Sequence, residues 1–129
     1  MKADHPNAKT ARDTLSRMTA SSSPDELLDL VADDVIWHEV DNPEPLHGKE
    51  TLRSAMADVT GRVSFDFEPY DVLGDDDLVI TYGQARLSAG ERSTTYDAVE
   101  IHRMRDGRIS ERWAMVRDLD AMREFWASL

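Results

Sequence analysis

Cysteine is absent from the 129-residue chain, and so is any long apolar run. Without thiols the protein has no disulfide, no cysteine nucleophile and no cysteine-ligated metal. No run of about 18 apolar residues is present to span a bilayer, and the first twenty residues lack the apolar core of a signal peptide. We therefore expect a cytoplasmic protein with a single domain over residues 1–129.

Basic residues are scarce as well: 15 Lys and Arg stand against 26 Asp and Glu, for a formal net charge of −11. Such a field repels phosphate backbones and anionic lipids, so neither nucleic acid nor a membrane is expected as a partner. The sequence has no glycine-rich phosphate loop, nucleophile elbow or calcium loop. The spacing of His38, Asp41 and His47 matches no common metal-ligand motif. We expect no cofactor and no metal.

Hydrophobic periodicity predicts four helices. The second helix opens at Pro24 inside a capping box of Ser23 and Glu26, and is predicted to end at Asp33 and Asp34. The first is expected to open at Pro6 and the third to end at Gly61. The apolar positions that mark the four are Ala8, Ala11, Leu15 and Met18; Leu27, Leu28 and Val31; Leu52, Met56 and Val59; and Leu119, Met122, Phe125 and Trp126.

The remaining segments alternate between apolar and polar residues, which predicts strands. Pro69 indicates a bulge or a sheet edge. Because most of the strands follow one another through short turns while the helices stand apart, we expect an α+β domain with an antiparallel sheet covered by helices on one face. The predicted strands are Val35–Glu39, Val63–Phe67, Leu78–Leu87, Thr94–Arg105 and Arg108–Val116.

Glu100 lies in the middle of an apolar strand, where its charge needs either a partner or a proton. A two-residue turn at 106–107 places Glu100 opposite Trp113. A three-residue loop bulged at Gly107 places it opposite Arg112 instead. Because an unpaired buried carboxylate is strongly destabilising and an arginine removes much of that cost, we favour the bulged loop and a Glu100–Arg112 ion pair.

Three segments of the sequence carry a family resemblance: ADDVIWHE (Ala32 to Glu39), PLHGKETLR (Pro45 to Arg53) and VEIHRMRDGRISERW (Val99 to Trp113). Together they resemble the nuclear transport factor 2-like superfamily, in particular its SnoaL-like and ketosteroid-isomerase-like branch. The resemblance extends over nearly the full chain and agrees with the predicted order of elements. Because one fold hosts many activities, the function depends on the site residues.

The resemblance implies a cone-shaped, strongly curved antiparallel sheet around a pocket, with helices over its concave face. Members of the superfamily isomerise steroids, cyclise polyketides, dehydrate or hydrolyse small apolar molecules, or bind ligands without catalysis. The resemblance also implies a homodimer joined through the outer face of the sheet. We expect Trp113 to be exposed on that face, as at a subunit interface.

The resemblance also suggests roles for three catalytic candidates. Glu39 stands where isomerases have a catalytic aspartate, and an apolar wall beside it can raise its pKa so that it moves a proton. Glu100 stands where those enzymes keep a protonated acid, but an arginine partner would keep it ionised, which argues against steroid isomerase chemistry. Arg112 and Ala114 replace a histidine and a catalytic aspartate that many SnoaL-like proteins have.

Four residues are expected to contact the substrate. Trp37 shares a strand face with Glu39 and is a candidate wall of the pocket. His102 shares a face with Glu100 and is a candidate proton carrier. The four are Trp37, His102, Ala114 and Tyr96.

These residues predict an enzyme of the isomerase, cyclase or hydrolase type that acts on a small apolar organic molecule by cofactor-free acid–base chemistry. Glu39 is the expected base, and Arg112 or His102 is expected to orient a carbonyl or enolate oxygen. The alternative is a non-catalytic module that binds a ligand or forms the dimer. A raised pKa at Glu39 favours the enzyme, whereas lowered pKa values at both acids favour the binding module.

Overall fold

The computed structural model describes residues 1–17 and 25–129, and these residues form four helices and six strands. The predicted capping box at Ser23 and the position Met18 lie outside the described residues. The helices are α1 (Pro6–Arg17), α2 (Asp25–Leu28), α3 (Lys49–Thr60) and α4 (Leu119–Ala127). The strands are β1 (Val31–Trp37), β2 (Leu46–His47), β3 (Ser64–Gly74), β4 (Leu78–Ala89), β5 (Arg92–Arg105) and β6 (Arg108–Val116).

The six strands form one curved, unclosed sheet in the order β2-β1-β6-β5-β4-β3. Strands that follow each other through short turns pair antiparallel, as expected, and the α+β class is confirmed. One pair differs from the predicted antiparallel sheet, because β1 runs parallel to β6. A parallel neighbour requires a crossover connection, and here α3 and four further strands lie between these two in the chain.

The core lies between the inner face of the sheet and the helices. Ala8 of α1 packs against Val72 and Val79, and Leu52 of α3 packs against Val31 and its buried neighbours. Met122 and Phe125 of α4 complete the core at the other end of the sheet, beside Val63 and Leu87. None of the helices in residues 1–17 and 25–129 is long and apolar enough to cross a membrane.

The bulge predicted at Pro69 is confirmed, and β3 is also an edge strand. The register of β3 against β4 shifts between Pro69 and Asp71, directly opposite Gly83. A Cβ atom at Gly83 would lie 2.3 Å from the carbonyl oxygen of Glu68 and 2.8 Å from the ring of Phe67. Only glycine therefore fits at this position, where the edge strand approaches its neighbour closely.

The boundary predicted between the second helix and the first strand is wrong. Helix α2 ends at Leu28, and β1 begins at Val31, with Asp33 and Asp34 exposed inside the strand. Val31 pairs with Ile109 of β6, so partners from the far end of the chain override the local helical pattern. Strand β1 also ends at Trp37, two residues earlier than predicted.

The loop chosen for the β5–β6 hairpin is wrong as well. Asp106 and Gly107 form a two-residue turn, with positive φ values of 54° and 75° and with Arg105 opposite Arg108. The extra residue is Ser110, which lies in β6 at the point where the register shifts. This displacement places Glu100 opposite Ala114, and not opposite Trp113 or Arg112, the two partners considered from the sequence.

Candidate functional site

A cavity of about 1300 Å³ lies between the inner face of the sheet and the helices. Most of its lining is apolar and comes from the helices and the inner face of the sheet. Its polar lining residues include a group on β5 and β6 in the sheet and a group on the loop that follows β1. The apolar lining includes Leu27, Leu30, Leu46, Leu52, Met56, Val59, Leu87, Met122 and Trp126.

Strand register brings the polar residues of the sheet together. Arg112 of β6 pairs with Trp37 of β1 on one side and with His102 of β5 on the other. Glu100 lies two residues before His102 and therefore projects from the same face of β5. The Ser110 bulge sets this alignment, because without the extra residue Arg112 would project from the opposite face.

Arg112 makes a dense set of contacts on this face. Its Nε donates to Glu100 Oε1 at 3.0 Å, and its Nη2 donates to the same oxygen. Its Nη1 donates to the backbone carbonyl of His38 at 3.0 Å, and the guanidinium lies 4.5 Å above the centre of the Trp37 ring. These bonds use three of the five guanidinium N–H groups. The other two make no hydrogen bond to the residues that the structure describes.

Glu100 is a carboxylate in this arrangement. Burial raises the pKa of its carboxyl group, but the charge of Arg112, the nearby His102 and the hydrogen bonds from Arg112 together outweigh burial, so the pKa lies below its ordinary value. The ion pair expected from the sequence is therefore present, although it forms diagonally across the strands. An ionised Glu100 has no proton to donate to an oxyanion.

His102 is buried and neutral. Burial lowers the pKa of its imidazole, and Arg112 lowers it further, whereas Glu100 opposes both effects. Its Nε2 lies 3.8 Å from Glu100 Oε2, and it has no hydrogen-bond partner among the described residues. The ring lies 6.4 Å from that of Trp37 and lines the cavity.

The two remaining substrate-binding candidates differ in position. Tyr96 lines the cavity, and burial followed by the charge of Glu100 raises the pKa of its phenol, so it remains protonated and able to donate a hydrogen bond. Ala114 lies opposite Glu100 in β6 and is not among the described residues that line the cavity. Both belong to the inner face, but only Tyr96 presents a functional group there.

Glu39 lies just beyond the end of β1, where it is half-buried and lines the cavity. Asp41, two residues later, has a positive φ of 64° and accepts two hydrogen bonds from Arg123 of α4, at 2.7 and 2.6 Å. These bonds and the charge of Arg123 hold the pKa of Asp41 below its ordinary value. This second ion pair also lines the cavity and was not expected from the sequence.

His38 points away from the cavity. Its Nε2 lies 2.8 Å from Glu111 Oε2, and its ring stacks on Trp113 with centroids 5.3 Å apart. His38 and Glu39 therefore lie on opposite sides of the backbone, as their alternation predicts. Among the described residues there is no cluster of three or more His, Asp and Glu side chains able to hold a metal ion.

The outer face of the sheet carries exposed apolar side chains, but Trp113 is not one of them. His38 stacks on its ring and Arg103 lies over it at 5.8 Å, so Trp113 is only half exposed, contrary to expectation. The exposed side chains on this face include Met115 at 53%, Tyr82 at 41% and Tyr70 at 50%. Tyr70 and Tyr82 contact each other edge to face.

Comparison of the sequence with protein families identifies the family of this chain. The model of the SnoaL-like domain family matches residues 12–112. The chain belongs to this SnoaL-like family. None of the curated proteins compared with the chain matches it.

Solved structures share the SnoaL-like fold at low sequence identity. An LEH-like epoxide hydrolase from M. tuberculosis superimposes with a TM-score of 0.78 at 16% identity, over 94% of this chain and 90% of that one. Bal32a, from a soil-derived mobile gene cassette, gives 0.78 at 22% identity over 93% and 95%. TerC, co-crystallised with polyporic acid, gives 0.76 at 16% identity over 94% and 98%. At these identities the likeness shows the fold.

Proposed function

We propose that this SnoaL-like chain binds a small, mostly apolar organic molecule in its cavity and acts on it by acid–base chemistry of its own side chains. Glu39 accepts the proton, and Arg112 orients a carbonyl or enolate oxygen of the substrate. His102 and Tyr96 border the same space and complete the polar contacts. The proposal includes no cofactor and no metal.

The observation that carries this proposal is the hydrogen bonding of Arg112. Two of its N–H groups are unused by the described residues, while Glu100, Trp37 and the carbonyl of His38 fix the guanidinium in place. A fixed donor beside a largely apolar cavity holds a carbonyl oxygen by hydrogen bonds and stabilises the partial negative charge that develops on it, because little reorganisation is needed during the reaction. Arg112 therefore supplies the electrostatic part of the chemistry.

Glu39 is the best placed base among the carboxylates of the cavity. Glu100 and Asp41 each accept two hydrogen bonds from an arginine, and these bonds weaken both groups as proton acceptors. No arginine hydrogen bond to Glu39 is present in the described residues. Its half-buried position keeps it within reach of both solvent and the cavity, which suits a group that exchanges protons.

Similar proteins support the choice of substrate class. The structure from M. tuberculosis is described as an epoxide hydrolase, and TerC was crystallised with polyporic acid, an organic ligand. We accordingly propose substrates such as ketones, lactones, epoxides and polyketide-like esters for this chain. These compounds combine an apolar body with one reactive oxygen.

The test is to replace Glu39 by Gln. After a screen of the four compound classes for turnover, Glu39→Gln should lower kcat by about 100-fold or more, because general-base catalysis contributes roughly that factor. The affinity for the substrate should remain nearly unchanged. Glu44→Gln is the matched control, because Glu44 is exposed on the same loop and does not line the cavity. Equal activity of the two variants would exclude Glu39 as the base.

A second candidate, a non-catalytic ligand-binding module, is favoured by the lowered pKa of Glu100. With Glu100 ionised and His102 neutral, this part of the sheet holds no strong acid near neutral pH. If crystals soaked with the same compounds show ligand density beside Arg112 while no compound is turned over, the binding module is the function. Turnover that depends on Glu39 decides for the enzyme.

The outer face of the sheet supports a third part of the proposal, a homodimer. Its exposed Tyr70, Tyr82 and Met115 are side chains typical of interface cores. Analytical ultracentrifugation should show a dimer for the wild type and a monomer for Tyr82→Glu, whereas Phe65→Glu, which changes an exposed residue at the cavity, should leave the dimer intact. The cytoplasmic location and the absence of nucleic-acid and membrane partners stay predictions.

A further inference from the structure

The charges that line the cavity do not balance. The charged side chains that face it are three carboxylates and two guanidinium groups, and the buried His102 is neutral, which leaves one net negative charge. The whole chain carries −11 and adds to that field. These charged residues are Glu39, Asp41, Glu100, Arg112 and Arg123, whereas Asp66 lies opposite Arg86 on the outer face of the sheet.

Neither arginine is available as a full positive charge for a ligand. Arg123 is paired with Asp41 through two hydrogen bonds. Arg112 is paired with Glu100 through Nε and Nη2, both directed at a single carboxylate oxygen. A ligand carboxylate or phosphate that approached Arg112 would therefore come close to the ionised Glu100 in a partly buried site, where like charges repel strongly.

The two unused N–H groups of Arg112 nevertheless remain hydrogen-bond donors. Their natural partner is an acceptor oxygen without a full negative charge, such as the oxygen of a ketone, ester, ether or epoxide. The neutral His102 and the protonated Tyr96 add no charge that would alter this preference. A ligand ammonium is not a partner for Arg112, because it carries no acceptor.

We propose that Glu100 determines the charge of the ligand: by neutralising Arg112 it restricts the cavity to molecules that present an uncharged acceptor oxygen, and it excludes carboxylates and phosphates. Glu100 is thus a specificity residue rather than a base. This inference rests on the proposed function in one respect, namely that the cavity binds small organic molecules.

Two matched probes test the wild-type protein: 2-acetylnaphthalene and 2-naphthoate, each titrated at pH 7 by calorimetry. The naphthyl body is common to both, so only the polar end differs. We expect the ketone to bind at least about tenfold more tightly than the carboxylate, which is a modest result for one unit charge at such a site. Binding of the carboxylate as tight as that of the ketone would overturn the inference.

Glu100→Gln should reverse the preference. Glutamine keeps a carbonyl oxygen that accepts from Arg112 but removes the negative charge, so the affinity for 2-naphthoate should rise by more than the advantage of about tenfold or more that the ketone has in the wild type. Asp41→Asn is the matched control, because it removes one charge from the same lining while Asp41 is paired with Arg123 rather than with Arg112. An equal gain in the affinity for 2-naphthoate in both variants would mean that the net charge of the cavity, and not Glu100, discriminates between the ketone and the carboxylate.

A further variant covers the case in which Glu100→Gln does not fold because Arg112 has lost its charged partner. The double variant Glu100→Gln/Arg112→Gln has no charge at this position and should bind the ketone and the carboxylate with affinities within about threefold of each other. Retention of the wild-type discrimination would overturn the role of Glu100. If none of the probes binds the folded wild type, the proposed cavity function fails together with this inference. If they bind without discrimination, this inference alone fails.

Discussion

Two arginine–carboxylate pairs line the same cavity, and they differ mainly in their contact with water. The side chains of Glu100 and Arg112 are 16% and 13% exposed, whereas those of Asp41 and Arg123 are 38% and 51% exposed. Each pair is held by two hydrogen bonds from a guanidinium, and each arginine lowers the pKa of its carboxylate. The chemical groups are the same, but the surroundings are not.

The comparison shows that burial determines what an ion pair does. Around Glu100, burial is the largest single influence on the pKa and acts against ionisation, so the carboxylate depends on Arg112. Around Asp41 the largest influence is the hydrogen bonding from Arg123 itself. The buried Glu100–Arg112 pair, called the inner pair below, is consequently required for a stable site. The exposed Asp41–Arg123 pair, called the outer pair, only joins the loop after β1 to α4.

The largest effect is expected from breaking the inner pair on one side. Arg112→Met leaves Glu100 as an unpaired carboxylate, which should lower the free energy of unfolding by about 3–5 kcal/mol in urea denaturation. Replacing both residues, in Glu100→Met/Arg112→Met, should restore most of the loss because no buried charge remains. If the double variant is as unstable as the single one, the loss comes from packing and the electrostatic comparison fails.

The second-largest effect is expected in the dependence of the unfolding free energy on pH. His102 has a folded-state pKa below its ordinary value of 6.5, so the unfolded chain binds a proton first as the pH falls. Stability that is complete above about pH 6.5 should therefore decline as the pH falls through the folded-state pKa, and the lowered pKa of Glu100 adds a loss at lower pH. Unfolding free energies between pH 7.5 and 5.5 should decline less in His102→Gln. Identical slopes would contradict a buried neutral imidazole.

The smallest effect is expected at the outer pair. Asp41→Asn should change the unfolding free energy very little, because both partners are exposed and solvent screens their attraction. The positive φ of Asp41 is also compatible with asparagine. Raising the salt concentration should reduce even this small difference. A destabilisation as large as that of Arg112→Met would show that solvent exposure does not determine how much each ion pair contributes to stability.

Sequence reasoning identified the inner pair but not its register. A carboxylate in an apolar strand needs a partner, and that physical requirement pointed correctly to Arg112. The reasoning then placed the irregularity at Gly107, where turn residues give a clear signal, whereas the extra residue is Ser110 in the strand itself. Nothing in an ordinary serine between isoleucine and glutamate distinguishes a bulge from a regular strand position.

Contacts between distant parts of the chain account for the other differences. Val31 continues a helical pattern locally, but pairing with Ile109 places it in a strand. The Asp41–Arg123 pair joins residues 82 positions apart, and neither residue carries a local pattern that indicates the other. Periodicity predicted most of the later strands and helices because their partners are neighbours in sequence, and it failed where the partner is far away.

The parallel pairing of β1 with β6 has a consequence for how the protein is made. The carbonyl that fixes Arg112 belongs to His38, 74 residues earlier, and the pairing cannot form before β6 has left the ribosome. Closing so long a loop is also entropically demanding. During biosynthesis the antiparallel hairpins are therefore expected to assemble first, and the cavity beside Arg112 is expected to form only after them.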